Sequence, residues 1–464
     1  VNLEIQKIAA FTGGKILPPG ARGTVTGIST DSRSVGAGEL FVALRGSNFD
    51  GHDFLIQAAR RGAAACLCEE VVAGFPLPVV RVADTLTALG DLAAGVRTAL
   101  TGPLAAVTGS SGKTTTKEML AAILALTGPG LKTEGNFNNL IGLPLTLMRL
   151  EPAHGWAVLE MGMSARGEIA RLAAIAQPTI GIITNVGEAH LETLHGLDGV
   201  ARAKGELFAA LPAGGTAVIN ADDQRVAGLP VANGARRILF GVSRDAEVRA
   251  EAIEVGGNAV SFRLILPEGT HAVRLPVTGR HNVSNALAAA AAALAIGVAG
   301  DIIARGLASF CPCHGRMELV SLAGDVKMIE DTYNANPLSV KAALQTLDEM
   351  GGAGRRIAVL GDMLELGSAA ADLHCEVGAE AARRCDLLIL LGSHAADVAR
   401  GALKGGLDSK KVFLASNHGE AVALLRGMLQ PGDRILVKGS RGMKMETVCA
   451  ALRSDDGQLA ANHS

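Results

Sequence analysis

Four residues in the middle of the chain have the side chains needed to handle a phosphate and a metal: Lys113, Glu160, His190 and Lys204. Lys113 lies in a glycine-rich run, Thr108-Gly109-Ser110-Ser111-Gly112-Lys113-Thr114-Thr115. Backbone N–H groups of such a run point at phosphate oxygens, and a helix N-terminus behind them adds partial positive charge. Lys113 would reach β- and γ-phosphates, and Thr114 would offer its hydroxyl to Mg²⁺. Val107 stands where the general pattern has its first glycine, so this is the shorter TGxxGKT form. The plainer account is a surface turn before a core helix. Nucleotide binding is favoured because an apolar strand precedes the run and a helical pattern follows it.

The elements around these residues read as a parallel sheet. Leu104 to Val107 is a short buried strand, and TTTKEMLAAILAL continues as a helix. WAVLEMGM is a strand ending in Glu160, and TIGIITNVGEAHLE is another, ending near Asn185 and leading to His190. Both are nearly continuous apolar runs, as in strands covered on both faces. Their carboxyl ends fall on the edge that carries the glycine-rich run, where open α/β sheets bind ligands. Glu160 and His190 are therefore candidate metal ligands beside a nucleotide. A lone histidine is more often structural, and Lys204, on the helical stretch GVARAKGELF, reads by default as a solvated lysine.

At 464 residues the chain exceeds a single core, and about three domains are expected. The boundaries fall at 1–101, 102–315 and 316–464. The first unit carries short strands, a helix over His52 to Arg61 and a capped helix over Asp84 to Leu100. The second alternates strands and helices as far as RILFGV, then changes to an antiparallel pattern over 250–277. The third repeats apolar strands, VKMIE, RIAVLG, DLLILLG, KVFLAS and RILVKG, with helical runs between, which reads as a second doubly wound sheet. It has no GxGxxG, so a dinucleotide fold is weakly supported there. The fold class is α/β throughout.

Hydrophobic residues make up 48% of the chain, which excludes global disorder, and a net charge of −2 offers no basic surface for nucleic acid. The longest apolar run, Ala286 to Ala299, is shorter than the roughly 18 residues of a membrane span and reads as a buried helix. Seven cysteines, with C-x-C rather than zinc-type spacing and no secretory leader, fit ordinary thiols in a reducing cytoplasm. Polar residues gather in two loops of the first unit, around Ser32-Arg33 and from Arg45-Gly46 to Asp50 and His52, and suggest either capped turns or a ligand shelf. Asn136, Asn138 and Asn139 are open to the same two readings. His281, Asn282 and Asn285 sit at the start of an alanine-rich helix as caps or ligand contacts.

Taken in order, these motifs resemble the Mur ligase family of peptidoglycan synthesis. The likeness covers nearly the whole chain: TDSR, LFVALRG…DGHDF, TGSSGKTT, GNFNN, LEMG, TNVGEAHLE, AKGE, GRHNVSN, GRME, DTYNANP, LGDMLELG and VKGSRGMKME. The small departures are Glu330 before Asp331 and Gly442 after Arg441. DTYNANPLS and VLGDMLELG resemble the branch that adds D-alanyl-D-alanine to UDP-N-acetylmuramoyl-tripeptide, and the DNPR-type motif of the diaminopimelate- or lysine-adding branch is absent.

The resemblance implies an ATP-dependent, ADP-forming amide ligase with three domains: a small UDP-binding α/β unit, a central ATPase-type sheet and a Rossmann-like third unit. It implies ATP on residues 108–115 with Asn282, Asn285, Arg316 and Asp331, and Mg²⁺ on Thr114, Glu160, His190 and Lys204, the lysine as a carbamate. The UDP substrate would lie against Ser32, Arg33, Arg45, Gly46, Asp50, His52, Asn136, Asn138 and Asn139. Asn336, Lys438, Ser440 and Arg441 would meet the dipeptide. Arg316 and Asp331 belong to the third unit or its hinge, so the full site would form on closure. The implied protein is a cytoplasmic monomer without a membrane span. Two rivals stand beside this reading: a sibling amide ligase, such as the diaminopimelate- or lysine-adding one or folylpolyglutamate synthase, and a nucleotide-dependent switch that performs no ligation.

Overall fold

The computed structural model describes residues 2–71, 73–242 and 245–461, with side chains described up to 454. Seven short strands open the chain: β1 (Leu3–Glu4), β2 (Lys15–Leu17), β3 (Thr24–Val25), β4 (Gly27–Ser29), β5 (Glu39–Val42), β6 (Ala65–Cys68) and β7 (Val79–Arg81). β1 pairs with β3, and the others form a sheet in the order β2-β7-β6-β5-β4. The expected helix at His52 to Arg61 is a 3₁₀ turn, Gly51–Phe54, that runs into an α-helix, Leu55–Arg60. The helix Thr85–Arg97 begins at Asp84, whose carboxylate accepts the Thr87 N–H, as its sequence signal suggested.

The central sheet has nine strands. β8 (Leu104–Thr108), β9 (Gly130–Lys132), β10 (Trp156–Glu160), β11 (Ile180–Ile183), β12 (Thr216–Asn220) and β13 (Arg236–Gly241) are parallel. β14 (Val248–Gly256), β15 (Ala259–Leu266) and β16 (Gly269–Leu275) extend it, the last two antiparallel to their neighbours. The order is β16-β15-β14-β13-β12-β11-β8-β10-β9. Register sets the chemistry: Glu160 lies opposite Val107, and Ile183 opposite Thr108. The carboxyl ends of three neighbouring strands thus meet at one edge.

Two helices start at that edge, Lys113–Ala125 and His281–Ile296, and they pack against each other. Ala286 to Ala293 is fully buried in the second of them. The apolar run expected as one helix to Ala299 breaks at Gly297, which takes φ +89 and lets a second helix, Gly300–Ala308, begin. That helix also packs on Lys113–Ala125.

The third sheet adds β17 (Glu318–Leu322), β18 (Val326–Asp331), β19 (Arg356–Gly361), β20 (Leu387–Leu391), β21 (Val412–Ala415) and β22 (Arg434–Lys438), in the order β17-β18-β22-β19-β20-β21. All pairs are parallel except β17–β18, a hairpin over a three-residue turn. The sequence reading had no strand at β17, because its residues are half-exposed at the sheet edge and carry no continuous apolar run. Among the described residues no helix is long and apolar enough to cross a membrane, and the cysteines are free thiols.

Candidate active site

The glycine-rich run turns from β8 into the helix Lys113–Ala125 as its sequence demands. Gly109 and Gly112 are required by space as well as by backbone. A Cβ on Gly109 would fall 1.8 Å from Thr184 Oγ1, and one on Gly112 (φ +78) would fall 2.2 Å from Asn285 Oδ1. The run is pinned from β11's end: Asn185 Oδ1 accepts the Ser111 N–H at 2.9 Å, Asn185 O accepts the Ser110 N–H, and Thr184 Oγ1 donates to Ser111 O at 2.6 Å. The helix start directs its first amides, which have no intrahelical acceptors, into the cleft beside it.

That cleft measures about 700 Å³ and draws its walls from two units. The central unit contributes the whole run from Thr108 to Thr115, with Asn138, Asn139, Glu160, His190, Lys204, Asn282 and Asn285. From beyond the hinge come Arg316, Asp331, Asn336 and Lys438. Residues assigned to one nucleotide on sequence grounds, and separated by two hundred positions or more, therefore share one cavity.

The fit to a divalent cation can be judged from donor chemistry. Thr114 Oγ1 donates to Glu160 Oε2 at 2.7 Å, and Asn138 Nδ2 donates to Glu160 Oε1 at 2.8 Å. Glu160 is buried and is aimed by its own N–H, which donates to Thr133 Oγ1. A buried carboxylate and a hydroxyl facing one polar cleft are hard oxygen donors that suit Mg²⁺, and the His190 imidazole lines the same cleft. Lys204 is 2% exposed, and among the described residues no carboxylate pairs with it. Burial, then the nearby charge of Lys113, push its ammonium far below the usual lysine range. Its default reading as a solvated lysine is wrong for this fold: the helix Leu197–Ala209 turns that face inward.

Lys113 Nζ folds onto Gly109 O at 2.7 Å. Burial lowers its pKa, Glu160 opposes that shift, and Arg316 adds to it. The arrangement concentrates cations around a space lined by helix-start amides, which is a trap for a polyanion. Asn285 Nδ2 donates to Asn282 Oδ1, and Asn282 Nδ2 to Thr278 O, so the two asparagines form a chain at the second helix's start.

The third-unit residues have acquired partners that the sequence did not disclose. Lys438, expected to meet a dipeptide, is buried with its Nζ 2.5 Å from Asp331 Oδ2 and 2.9 Å from Asn334 O. Its charge is committed to Asp331. Asn336 caps the helix Pro337–Glu349 and donates from Nδ2 to Ser110 O at 3.1 Å, so it joins the third unit to the glycine-rich run. Ser440 is buried, its Oγ accepting the Leu364 N–H and donating to Ala335 O. Arg441 alone of the four is exposed; it and Arg316 both stand over the Tyr333 ring, at 5.6 and 4.0 Å. Sequence reasoning missed Tyr333, although it is the chain's single tyrosine and lies inside DTYNANP.

His281, expected as a cap or a ligand contact, is also a titratable group of the cleft. It lines the cleft, and burial holds its pKa near about 4, with Asp331 opposing and Lys438 assisting the shift. A histidine with a lowered folded pKa is fully compatible with the fold above its unfolded value of about 6.5. Stability is lost as pH falls from there toward 4, by about 3 kcal/mol in all. His281→Gln should flatten that part of the curve, as measured by denaturant unfolding of both proteins at pH 7 and 4.5.

The loops of the first unit do not reach this cleft. Ser32 Oγ donates to Gln57 Oε1, and Arg33 pairs with Asp31 at 2.8 Å, holding the Asp31 carboxyl near about 2. Arg45 pairs with Asp50, Glu69 and Glu70, and Gly46 N donates to Phe49 O. Asp50 also accepts from His52 Nδ1 at 2.6 Å, while His52 Nε2 accepts the Glu69 N–H. An anion arriving here would have to displace carboxylates from Arg45. Of the three asparagines, Asn138 meets Glu160, Asn139 Oδ1 accepts the N–H groups of Ile141 and Gly142 where the helix Gly142–Leu147 begins, and Asn136 is exposed and away from the cleft. A second grouping, His314, Glu318 and Glu330, lies outside the cleft, where Arg453 spans both carboxylates.

Comparison with known proteins matches three family descriptions along the chain: the Mur ligase family catalytic domain over 24–97, the Mur ligase middle domain over 107–293, and the Mur ligase glutamate ligase domain over 315–441. The UDP-N-acetylmuramoyl-tripeptide–D-alanyl-D-alanine ligase of Escherichia coli K12 is 39% identical across 98% of this chain and 99% of its own. That of Bacillus subtilis 168 is 37% identical over 97% and 98%. Among solved structures, MurF from Acinetobacter baumannii superposes with a TM-score of 0.91 at 35% identity, covering 97% of this chain and 99% of that one. MurF from Thermotoga maritima, solved in complex with ADP, gives 0.84 at 28% identity over 93% and 98%. With that likeness running from end to end and the cleft assembled from the family's motifs, the chain belongs to the Mur ligase family.

Proposed function

We propose that this protein joins D-alanyl-D-alanine to UDP-N-acetylmuramoyl-tripeptide, splitting ATP to ADP and phosphate. The observation that supports it most is the single cleft shared by Lys113, Thr114, Glu160, His190 and Lys204 on one side and Arg316 and Asp331 on the other. The tripeptide's terminal carboxylate oxygen attacks the γ-phosphorus and ADP leaves. The dipeptide's amine then attacks the acyl carbon, the C–N bond forms, and inorganic phosphate departs with the C–O bond's electrons. Two anions must meet in the first step, so charge has to be neutralised and the partners held in line.

Lys113 and the amides of Gly112 to Thr115 take the triphosphate, with Asn282, Asn285 and Arg316 beside it and Asp331 toward the ribose. Thr114, Glu160, His190 and the carbamate of Lys204 would hold Mg²⁺, which when bound screens the phosphoryl oxygens. The neutral Lys204 amine is the form that adds to CO₂. Since Lys438 is tied to Asp331, the exposed Arg441 is the better cation for the dipeptide's carboxylate, with Ser440 and Asn336 shaping the loops around it. The first unit's loops, from Ser32 to His52, would carry the uridine diphosphate end, with Asn136, Asn138 and Asn139 along the way. The domain limits near 101 and 315 go with these roles. The location proposed is the cytoplasm and the working form a monomer.

A phosphate-release assay tests the reading. With ATP, Mg²⁺ and UDP-muramoyl-tripeptide, D-alanyl-D-alanine should drive release at least tenfold faster, roughly 1.4 kcal/mol in transition-state terms, than diaminopimelate, L-lysine or D-glutamate. Equal turnover with a single amino acid would contradict it. Release without any amine would instead favour a nucleotide switch.

A further inference from the structure

A histidine–carboxylate contact joins the central and third units just behind the cleft. His190 Nδ1 lies 2.5 Å from Glu365 Oε2. Glu365 belongs to the loop after β19, within GDMLELG. His190 lines the cleft and Glu365 does not, so the carboxylate approaches the imidazole from its outer side. A carboxylate oxygen at that distance accepts the proton on Nδ1. In the neutral ring the lone pair is then on Nε2. A carboxylate placed so behind a metal-binding histidine fixes its tautomer and orientation and raises its basicity.

The backbone supports a built contact. His190 and Glu365 take φ +55 and +64, in the left-handed region that residues other than glycine uncommonly enter, histidine less rarely than glutamate. Such positions are strained and persist where neighbours enforce them. Two residues past Glu365, Gly367 (φ +56) sits so close to the His190 turn that a Cβ on it would lie 3.2 Å from Glu192 Cα. The His190–Glu192 turn and the Glu365–Gly367 turn are shaped against each other.

We propose that Glu365 is a positioning residue for His190: it arrives with the third unit, accepts the Nδ1 proton and turns Nε2 to the cleft, so that the divalent-cation site reaches full affinity only when that unit is docked. The inference rests on the reading of His190 as a cation ligand. It ties cation affinity to the docking of a unit that contributes no ligand of its own.

The test is Mn²⁺ binding to the full chain with a non-hydrolysable ATP analogue, followed through the free-Mn²⁺ electron paramagnetic resonance signal. His190→Ala should lose the cation that depends on this residue. Glu365→Ala should weaken that cation about tenfold or more, with turnover recovered at saturating Mn²⁺. Glu365→Gln, whose amide oxygen still accepts the Nδ1 proton, should retain most of the affinity. Because Glu365 is 61% exposed on a loop, these variants should fold. Unchanged affinity in Glu365→Ala, with loss in His190→Ala, would overturn the positioning role alone. Tighter binding in Glu365→Ala would also overturn it, by making the carboxylate a competitor for the imidazole. Unchanged affinity in His190→Ala would remove the underlying reading.

Discussion

Lys204→Ala should be nearly inactive, with turnover down about 10³-fold, and short carboxylic acids such as acetate should restore part of it. The size of the loss follows from removing an anion that holds positive charge against the transferring phosphoryl group. Rescue follows from the state of the residue. Its Nζ is buried without a carboxylate partner among the described residues, and burial with the nearby charge of Lys113 pushes its pKa well below the usual lysine range, which favours the neutral amine. A neutral amine adds to CO₂ carbon, loses one proton and becomes a carbamate, an anion on a long stem. Alanine leaves room for a small carboxylate at the position of that anion. Full activity of Lys204→Ala would remove the residue from catalysis. Loss without rescue by any short acid would count against the carbamate and leave a role for the amine.

Lys113→Ala should lower turnover by at least roughly a hundredfold, about 2.7 kcal/mol in the transition state. Lys113 Nζ reaches back only to Gly109 O, a contact that solvent can replace, so the fold should survive. The run itself is held by Asn185 and Thr184, which do not depend on the lysine. Steady-state phosphate release with a parallel thermal melt checks both halves. Near-normal turnover in a folded variant would take the charge of Lys113 out of the mechanism.

The central site was legible because its signals are local. Glycine spacing, an apolar strand and a helix-forming run fix where Lys113 and Thr114 stand, and continuous apolar strands put Glu160 and the approach to His190 on the same edge. What the sequence hid depends on contacts between distant segments. Lys204 reads as solvated until the helix that carries it packs inward. Lys438 looks like a free cation until β18 and β22 pair and bring Asp331 opposite to it. Asn336 reads as a ligand contact until the third unit docks on Ser110. Glu365 gave no signal alone, because a carboxylate in a loop means little before its histidine is beside it. The edge strand β17 escaped for a simpler reason, half-exposure without alternation strong enough to notice.

The buried alanines of the helix His281–Ile296 act as a spacer. Because this helix brings mostly methyl groups to the core that it shares with Met119, Leu120 and Ile123 of Lys113–Ala125, the two can run toward the short end of the roughly 8–10 Å range of helix separations. Both helices open onto the cleft, one at Lys113, the other at Asn282 and Asn285. At that end Gly112 and Asn285 already leave no room for a single added carbon. The two rods therefore behave like the arms of a caliper, with the alanine face as the stop. A valine in the Ala286–Ala293 run, on the side that meets Lys113–Ala125, would thicken the stop by two methyls and spread the jaws at the cleft, although the run does not line that cleft. The dimension of the phosphate site is machined into the least chemically eventful stretch of the chain.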